Sequence, residues 1–213
     1  MKKIAPFLAV LFILFLAMPS FSDEEPRSHF ALGFKGGLFY AEDETFRRFY
    51  GQRGNDIYFV EFGWYPLRDL GVEVGAGLFY ERSHTIGSIS QVPSGEELYL
   101  FMLPLEAGAT YRLHIIKLVV PYIGGGYTMY YFNERVEGED SFEVWKDGYV
   151  ARGGFSLLLD NIDKRAAFAL ERDFGIQNTY FDLGARYTQI GGSGEEGLNL
   201  SGLSYLGGFV FEF

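Results

Sequence analysis

The strongest constraint on this chain is a two-residue alternation of bulky apolar side chains with small or polar ones. It runs through eight segments of ten or more residues, which are 29–40, 56–65, 70–80, 98–113, 119–132, 146–159, 179–190 and 202–213. This period is typical of β-strands, because successive side chains point to opposite faces of a sheet. In 119–132, rich in Gly and Tyr, the facing stays ambiguous. The chain is therefore predicted to be all-β.

The contents of the two faces indicate where such a sheet would be stable. The apolar faces carry aromatic side chains near their ends, whereas the opposite faces hold Gly and isolated charges. A chain with 28 Gly and 18% aromatic residues suits a membrane barrel with a tightly packed interior and aromatic girdles. Ten residues is also the length that a tilted strand needs to cross a bilayer. We therefore predict an eight-stranded antiparallel up-and-down transmembrane β-barrel, with a soluble sandwich as the alternative.

The connections between the segments alternate in length. The short ones are 66–69 and 114–118, and the long polar ones are 41–55, 82–97, 133–145 and 191–200. Outer-membrane barrels have short periplasmic turns and longer extracellular loops. The alternation therefore predicts that both ends of the mature chain lie in the periplasm.

One connection, 160–177, is too long for a simple turn. Ile162, Ala166 and Leu170 recur in it at helical spacing, either Asp160 or Asp163 could cap the helix, and Gly175 would end it. This pattern predicts a short periplasmic helix between strands 6 and 7. The alternative is that 166–172 forms a further strand.

The N-terminus has the pattern of a secretory signal peptide. A basic start at Lys2 and Lys3 precedes the apolar stretch 4–18, and small residues stand at Ser20 and Ser22. We predict a signal peptide over 1–22 and a barrel domain over 23–213. A permanent transmembrane helix is the weaker alternative, because the apolar stretch is shorter than the usual span of about 20 residues.

The charge of the chain bears on its partners. The formal net charge is −10, and removal of Lys2 and Lys3 makes the mature chain −12. An acidic chain without basic tracts argues against nucleic-acid binding. The chain has no Cys, which excludes disulfides and thiolate metal sites.

Charged residues on the faces opposite the apolar ones would point into the barrel. They are Lys35, Glu61, Glu73, Glu106, Arg112, Arg152, Asp182, Arg186 and Glu212. The interior of an eight-stranded barrel is just wide enough to be filled by side chains, and charges there must be paired or hydrated. We predict a polar network that closes the lumen. The alternative is a gated path for small solutes, opened by rearranged ion pairs.

The C-terminus carries the clearest family resemblance. Tyr205, Gly207, Phe209, Phe211 and Phe213 alternate up to a terminal Phe, like the signal that outer-membrane barrels present to their assembly machinery. With the segments 121–127 and 184–188, the chain resembles the small outer-membrane β-barrel proteins of the OmpA/OmpX and OmpW type. The resemblance implies a Gram-negative outer membrane, and barrel assembly machinery and periplasmic chaperones as partners during biogenesis.

The sequence offers little for catalysis. Ser83 precedes His84, but adjacent residues usually point apart, and no third group completes a nucleophilic site. The acidic loop clusters lack the spacing of a cation site. We therefore expect no enzyme activity and no cofactor, with a lipid-modifying enzyme as the least favoured alternative. The leading expectation is a monomeric structural or surface-interaction protein that contacts outer-membrane lipid and lipopolysaccharide, and the second is a narrow porin or transporter.

Overall fold

The computed structural model describes residues 29–50, 54–86, 93–114, 118–136, 142–190 and 199–213. For 48–49, 83–86, 93–98 and 136 only the backbone is described. In chain order the elements are β1 Phe30–Ala41, α1 Glu44–Tyr50, β2 Asn55–Trp64, β3 Leu70–Ile86, β4 Pro93–Arg112, β5 Val119–Val136, β6 Phe142–Leu158, α2 Lys164–Phe174, β7 Asn178–Ile190 and β8 Gly202–Glu212. The predicted signal peptide lies outside the described residues.

The strands form one closed antiparallel barrel in which β1 pairs with both β2 and β8. The predicted fold, eight up-and-down strands with a helix between strands 6 and 7, is therefore confirmed. The register is staggered. When the paired residues are followed once around the barrel from Ala31, the path returns to β1 at Ala41, ten residues further along the strand. The path runs through Gly63, Glu73, Gly108, Gly126, Val150, Thr188 and Gly202. Such a stagger requires strands tilted by about 35–45° to the barrel axis.

The barrel has apolar side chains on the outside. Outward residues in mid-strand, such as Phe34, Val60 and Leu78, are about half exposed, and Tyr149 is 70% exposed. Inward neighbours such as Glu61 and Asp182 are buried. This polarity is the reverse of that of a soluble protein, and it is the polarity that a strand needs between lipid and a polar interior.

The barrel wall is uneven in height. At the end that carries the short connections, here the turn end, all eight strands stop at a similar level. At the opposite end, here the loop end, β3 to β6 continue well beyond the other four strands. The predicted loops 82–97 and 133–145 are therefore partly strand, because the two hairpins keep pairing outward, as at Arg82 with Tyr99 and Glu134 with Phe142. The extended parts of β3–β6 are called the tall wall below.

Two helices interrupt the strands. Helix α2 has the predicted caps: Asp163 accepts from the backbone N–H groups of Arg165 and Ala166, and Gly175 closes the helix in the left-handed region at φ 72°. The alternative of a strand over 166–172 was wrong. Helix α1 was not predicted, and it lies within the expected loop 41–55. Neither helix, nor any other in the described ranges, has the length and apolarity to cross a membrane.

Candidate functional site: the barrel interior

The interior of the barrel is divided into layers along its axis. A small apolar cluster lies at the turn end and consists of Ala31, Tyr65, Val120, Tyr180 and Val210, with Leu158 against it. A much larger one fills the loop end and includes Phe39, Phe46, Tyr50, Ile57, Phe59, Phe79, Leu100, Met102, Tyr130, Phe132 and Ile190. Between them lie the predicted charged residues. The expectation of a polar lumen therefore needs correction at the loop end, where inward positions are aromatic and aliphatic.

Glu61 lies at the centre of the charged layer. One oxygen is 2.8 Å from the Lys35 ammonium, and the other accepts a hydrogen bond from Arg186 and lies 4.0 Å from Arg152. The Glu61 and Lys35 side chains are each only 8% exposed. A buried carboxylate of this kind stays charged only because cations surround it.

The carboxylates around Glu61 extend the network toward the turn end. Glu73 lies 2.7 Å from Arg152 and 3.8 Å from Arg112, and it accepts hydrogen bonds from Tyr65 and Thr110. Arg112 in turn lies 2.5 Å from Glu212, beside the closing seam of the barrel. The predicted residues of β3, β4, β6 and β8 are thus brought into one chain of contacts.

Asp182 and Glu106 complete the layer. Asp182 lies 3.0 Å from Lys35 and accepts hydrogen bonds of 2.8 Å from the hydroxyls of Tyr122 and Ser156. Glu106 lies 3.2 Å from Arg186. The structure therefore brings together all nine charged residues that the sequence analysis placed on the inward faces.

The network contains four cations and five carboxylates at close quarters. Beside Lys35, Glu73 and Tyr122 lies a cavity of about 20 Å³, room for one water molecule. Among the described residues of the layer, four polar atoms have no hydrogen-bond partner: Oε1 of Glu106, Nε of Arg152, and Nε and Nη1 of Arg186. The arrangement holds paired charges inside the barrel beside a water-sized cavity.

Helix α1 closes the loop end of the lumen. Phe46 is completely buried, with ring centroids 4.8 Å from Tyr50, 6.1 Å from Phe39 and 6.2 Å from Phe79. The side chain of Asn55 donates to the Tyr50 carbonyl oxygen at 2.6 Å. These contacts hold the helix within the barrel mouth as a plug.

Asp43 fixes the start of the plug. Its carboxylate accepts from the backbone N–H of Phe46 at 3.0 Å and from that of Asn199 at 3.2 Å. Burial alone would raise the pKa of Asp43, but the backbone donors of Phe46, Asn199 and Thr45 outweigh it and hold the pKa below its ordinary value. The Asp43 carboxylate thereby connects α1 to the segment that precedes β8 at the loop end.

The histidines serve local structure where their side chains are described. Nδ1 of His29 lies 3.3 Å from the Tyr65 carbonyl oxygen, and Nδ1 of His114 lies 2.8 Å from an Asp69 oxygen. The Ser83 and His84 side chains lie outside the described part of the chain. Among the side chains that the structure describes, no group of His, Asp and Glu has the arrangement of a metal site.

Four of the predicted assembly residues lie on β8, and Phe213 directly follows that strand. Tyr205, Phe209 and Phe213 point outward and are between 37% and 55% exposed. Phe213 closes the barrel through backbone hydrogen bonds of 3.0 Å with His29 and 2.9 Å with Phe30. Their role in recognition by assembly machinery stays a prediction.

Neither a protein-family model nor a curated protein sequence matches this chain. Solved structures do. The outer membrane protein OprG from Pseudomonas aeruginosa superposes with a TM-score of 0.61 at 15% identity, over 87% of this chain and 96% of its own. Neisserial surface protein A superposes with a TM-score of 0.55 at 17% identity, over 88% of this chain and 99% of its own. The fold is that of small outer-membrane barrels, as the resemblance implied, and these likenesses support the predicted outer-membrane location.

Proposed function

We propose that this chain, which has the fold of the small outer-membrane β-barrels, is a sealed barrel that presents its loop end at the cell surface. Its role is structural or one of surface interaction, and it performs no enzymatic reaction. The barrel seals itself and exposes the polar connections and the tall wall outside the membrane. Glu42 belongs to that surface, and the sequence is also acidic at 137–140 and 195–196, which lie outside the described residues.

The filled interior is the observation that carries the proposal. An ion must pass the aromatic plug around Phe46 and then a layer in which each cation already has a carboxylate partner. Separating such buried pairs leaves unpaired charges at a cost of several kcal/mol. A static path for solutes is therefore absent from the described interior.

A narrow porin is the second candidate, and one feature favours it. The plug is a separate seven-residue helix, so its displacement from the loop end would break no pairing between strands. The water-sized cavity in the charged layer would then lie on the route. This candidate requires both α1 and the ion pairs to move.

Conductance across planar lipid bilayers tests the proposal. The refolded mature protein is expected to insert and remain silent at moderate voltage. The variant Phe46→Ala removes the anchor of the plug, and Arg47→Ala, an exposed neighbour on the same helix, is the matched control. Steady single-channel currents from the unmodified protein would overturn the sealed barrel and favour the porin.

The surface role has its own test. Shortening a loop-end connection, such as 191–198, should leave the folded barrel intact but abolish adhesion to whatever partner the intact cells bind. Loop shortening should abolish binding but not transport, so uptake of a small solute that persists in the folded, loop-shortened variants would favour the transporter instead. The partners proposed on chemistry alone are outer-membrane lipid and lipopolysaccharide, with assembly machinery and periplasmic chaperones during biogenesis, and the protein is proposed to work as a monomer.

A further inference from the structure

Three residues on the outer face of the tall wall form one in-register row. Arg82 on β3 is paired with Tyr99 on β4, and Tyr99 is paired with Arg135 on β5. Both arginines are exposed. Neighbouring strands lie about 4.8 Å apart, so the two arginine backbones are about 10 Å from each other with the tyrosine between them.

The row lies just beyond the aromatic girdle of the same wall. Tyr80, the outward residue two positions before Arg82, is paired with Phe101, two positions after Tyr99. The Phe101 and Tyr131 rings lie 6.3 Å apart, and Tyr131 lies 5.2 Å from Trp145. Aromatic girdles mark the boundary between the hydrocarbon and the headgroups. Two residues of strand add about 6–7 Å, which places the row at headgroup level.

The chemistry of the row suits an anion. The Arg82 guanidinium lies 5.5 Å from the centre of the Tyr99 ring, a cation–π contact that orients it along the wall. Among the described side chains, Arg135 has no carboxylate within ion-pair distance. The one exposed acid described nearby, Glu143, accepts a hydrogen bond from Asn133 at 3.0 Å. Arginine is the residue best suited to bidentate contacts with phosphate.

We propose that Arg82, Tyr99 and Arg135 bind a phosphate group of an outer-leaflet lipid, with lipid A as the lipid of matching chemistry. The two guanidinium groups close on the phosphate from β3 and β5, the strands on either side of β4, while the acyl chains pack against the girdle below. The inference rests on the proposed function, because it requires the loop end to face the outer leaflet. It adds a defined lipid site on one side of the barrel.

Binding of diphosphoryl lipid A to the folded protein in detergent micelles tests the site. Lipid A stripped of both phosphates serves as the reference, and the thermal unfolding midpoint across a lipid titration gives the affinity. The unmodified protein should bind the phosphorylated form at least about tenfold more tightly, given the usual strength of hydrogen bonds to charged groups. The variant R82Q/R135Q should lose that preference.

Matched variants separate binding from structure. Arg172→Gln makes the same single charge change as Arg135→Gln, but on the exposed face of α2 at the turn end, and it should bind like the unmodified protein. R82K/R135K keeps the charge but not the bidentate geometry, and it should bind with intermediate affinity. If R82Q/R135Q fails to show the gel shift of a folded barrel, the single variant Arg135→Gln tests the site instead. It is expected to lose several-fold in affinity for phosphorylated lipid A.

Three results would overturn the site. The first is equal binding of phosphorylated and dephosphorylated lipid A by the unmodified protein. The second is full phosphate preference in the folded glutamine variants. The third is stabilisation by inorganic phosphate as large as that by lipid A, which would remove the lipid from the assignment. Each can occur in a folded barrel that remains silent in planar bilayers, so failure of the site is distinguishable from failure of the proposed function.

Discussion

Lys35 is the residue whose removal should most clearly expose the energetics of the sealed interior. Its ammonium lies 2.8 Å from Glu61 and 3.0 Å from Asp182, and its side chain is 8% exposed. The substitution Lys35→Met keeps the length of the stem and removes the charge. Removing one partner of a buried ion pair typically costs about 3–5 kcal/mol, because the other charge stays buried. Glu61 keeps Arg186, so we expect a loss near 3 kcal/mol, mainly from Asp182.

A double-mutant cycle assigns that loss to the pair. Asp182→Asn removes the stranded carboxylate while keeping acceptor and donor atoms for the hydroxyls of Tyr122 and Ser156. K35M/D182N should therefore be less destabilised than the two single variants added together, by at least about 1 kcal/mol. The assay is reversible urea unfolding of the protein in lipid vesicles, followed by the fluorescence of Trp64 and Trp145 and by the gel shift of the folded barrel.

The reasoning fails on either of two results. The first is that Lys35→Met unfolds at the same urea concentration as the unmodified protein, and the second is that the two substitutions are strictly additive. Either outcome would mean that water, not the carboxylates, compensates the Lys35 charge, and that the charged layer is hydrated enough to serve as a path.

Three further predictions follow from the plug and the close approach of strands. Phe46→Ala should destabilise α1 by about 3–5 kcal/mol, the usual cost of emptying a buried Phe site, and so lower the hydrogen-exchange protection of 44–50. Arg47→Ala should change that protection little. Gly37→Ala should prevent refolding, because a Cβ there would lie 1.8 Å from a carbonyl oxygen of β8, while Gly33→Ala on the same strand and face, with its nearest atom at 3.5 Å, should refold normally. Because the pKa of Asp43 is lowered, its stabilisation of α1 is complete above the ordinary carboxyl pKa of about 4 and is lost as the pH falls through the lower pKa of the folded protein. Hydrogen-exchange protection factors in 44–50 should therefore drop in that pH window. The variant Asp43→Asn should remove this pH dependence.

The strands were predictable from the sequence because each strand faces lipid with one side and the crowded barrel interior with the other. That double demand imposes alternation over the full length of β2, β7 and β8, and the predicted bounds of these strands differ from the observed ones by at most one residue. Helix α2 was predictable for a different reason. Its caps, Asp163 and Gly175, are local signals that do not depend on the rest of the barrel.

Other features depend on contacts that the sequence does not display. Helix α1 is seven residues long, too short for a periodic signal, and burial of Phe46 and Tyr50 stabilises it. The apolar loop end had a signal that was missed: Phe39, Ile57 and Phe79 stand on the inward face in the alternation. The partner of each charged residue depends on the ten-residue stagger of the register, which is a property of the closed barrel.

The most direct test of the account is the location and state of the mature chain in a Gram-negative cell. The account predicts that the protein is recovered in the outer-membrane fraction, is released only by detergent, and migrates faster on gels before heating than after, as folded barrels do. Recovery of a stable, folded form free in the periplasm without detergent would contradict it, because the half-exposed aromatic exterior would then lie in water.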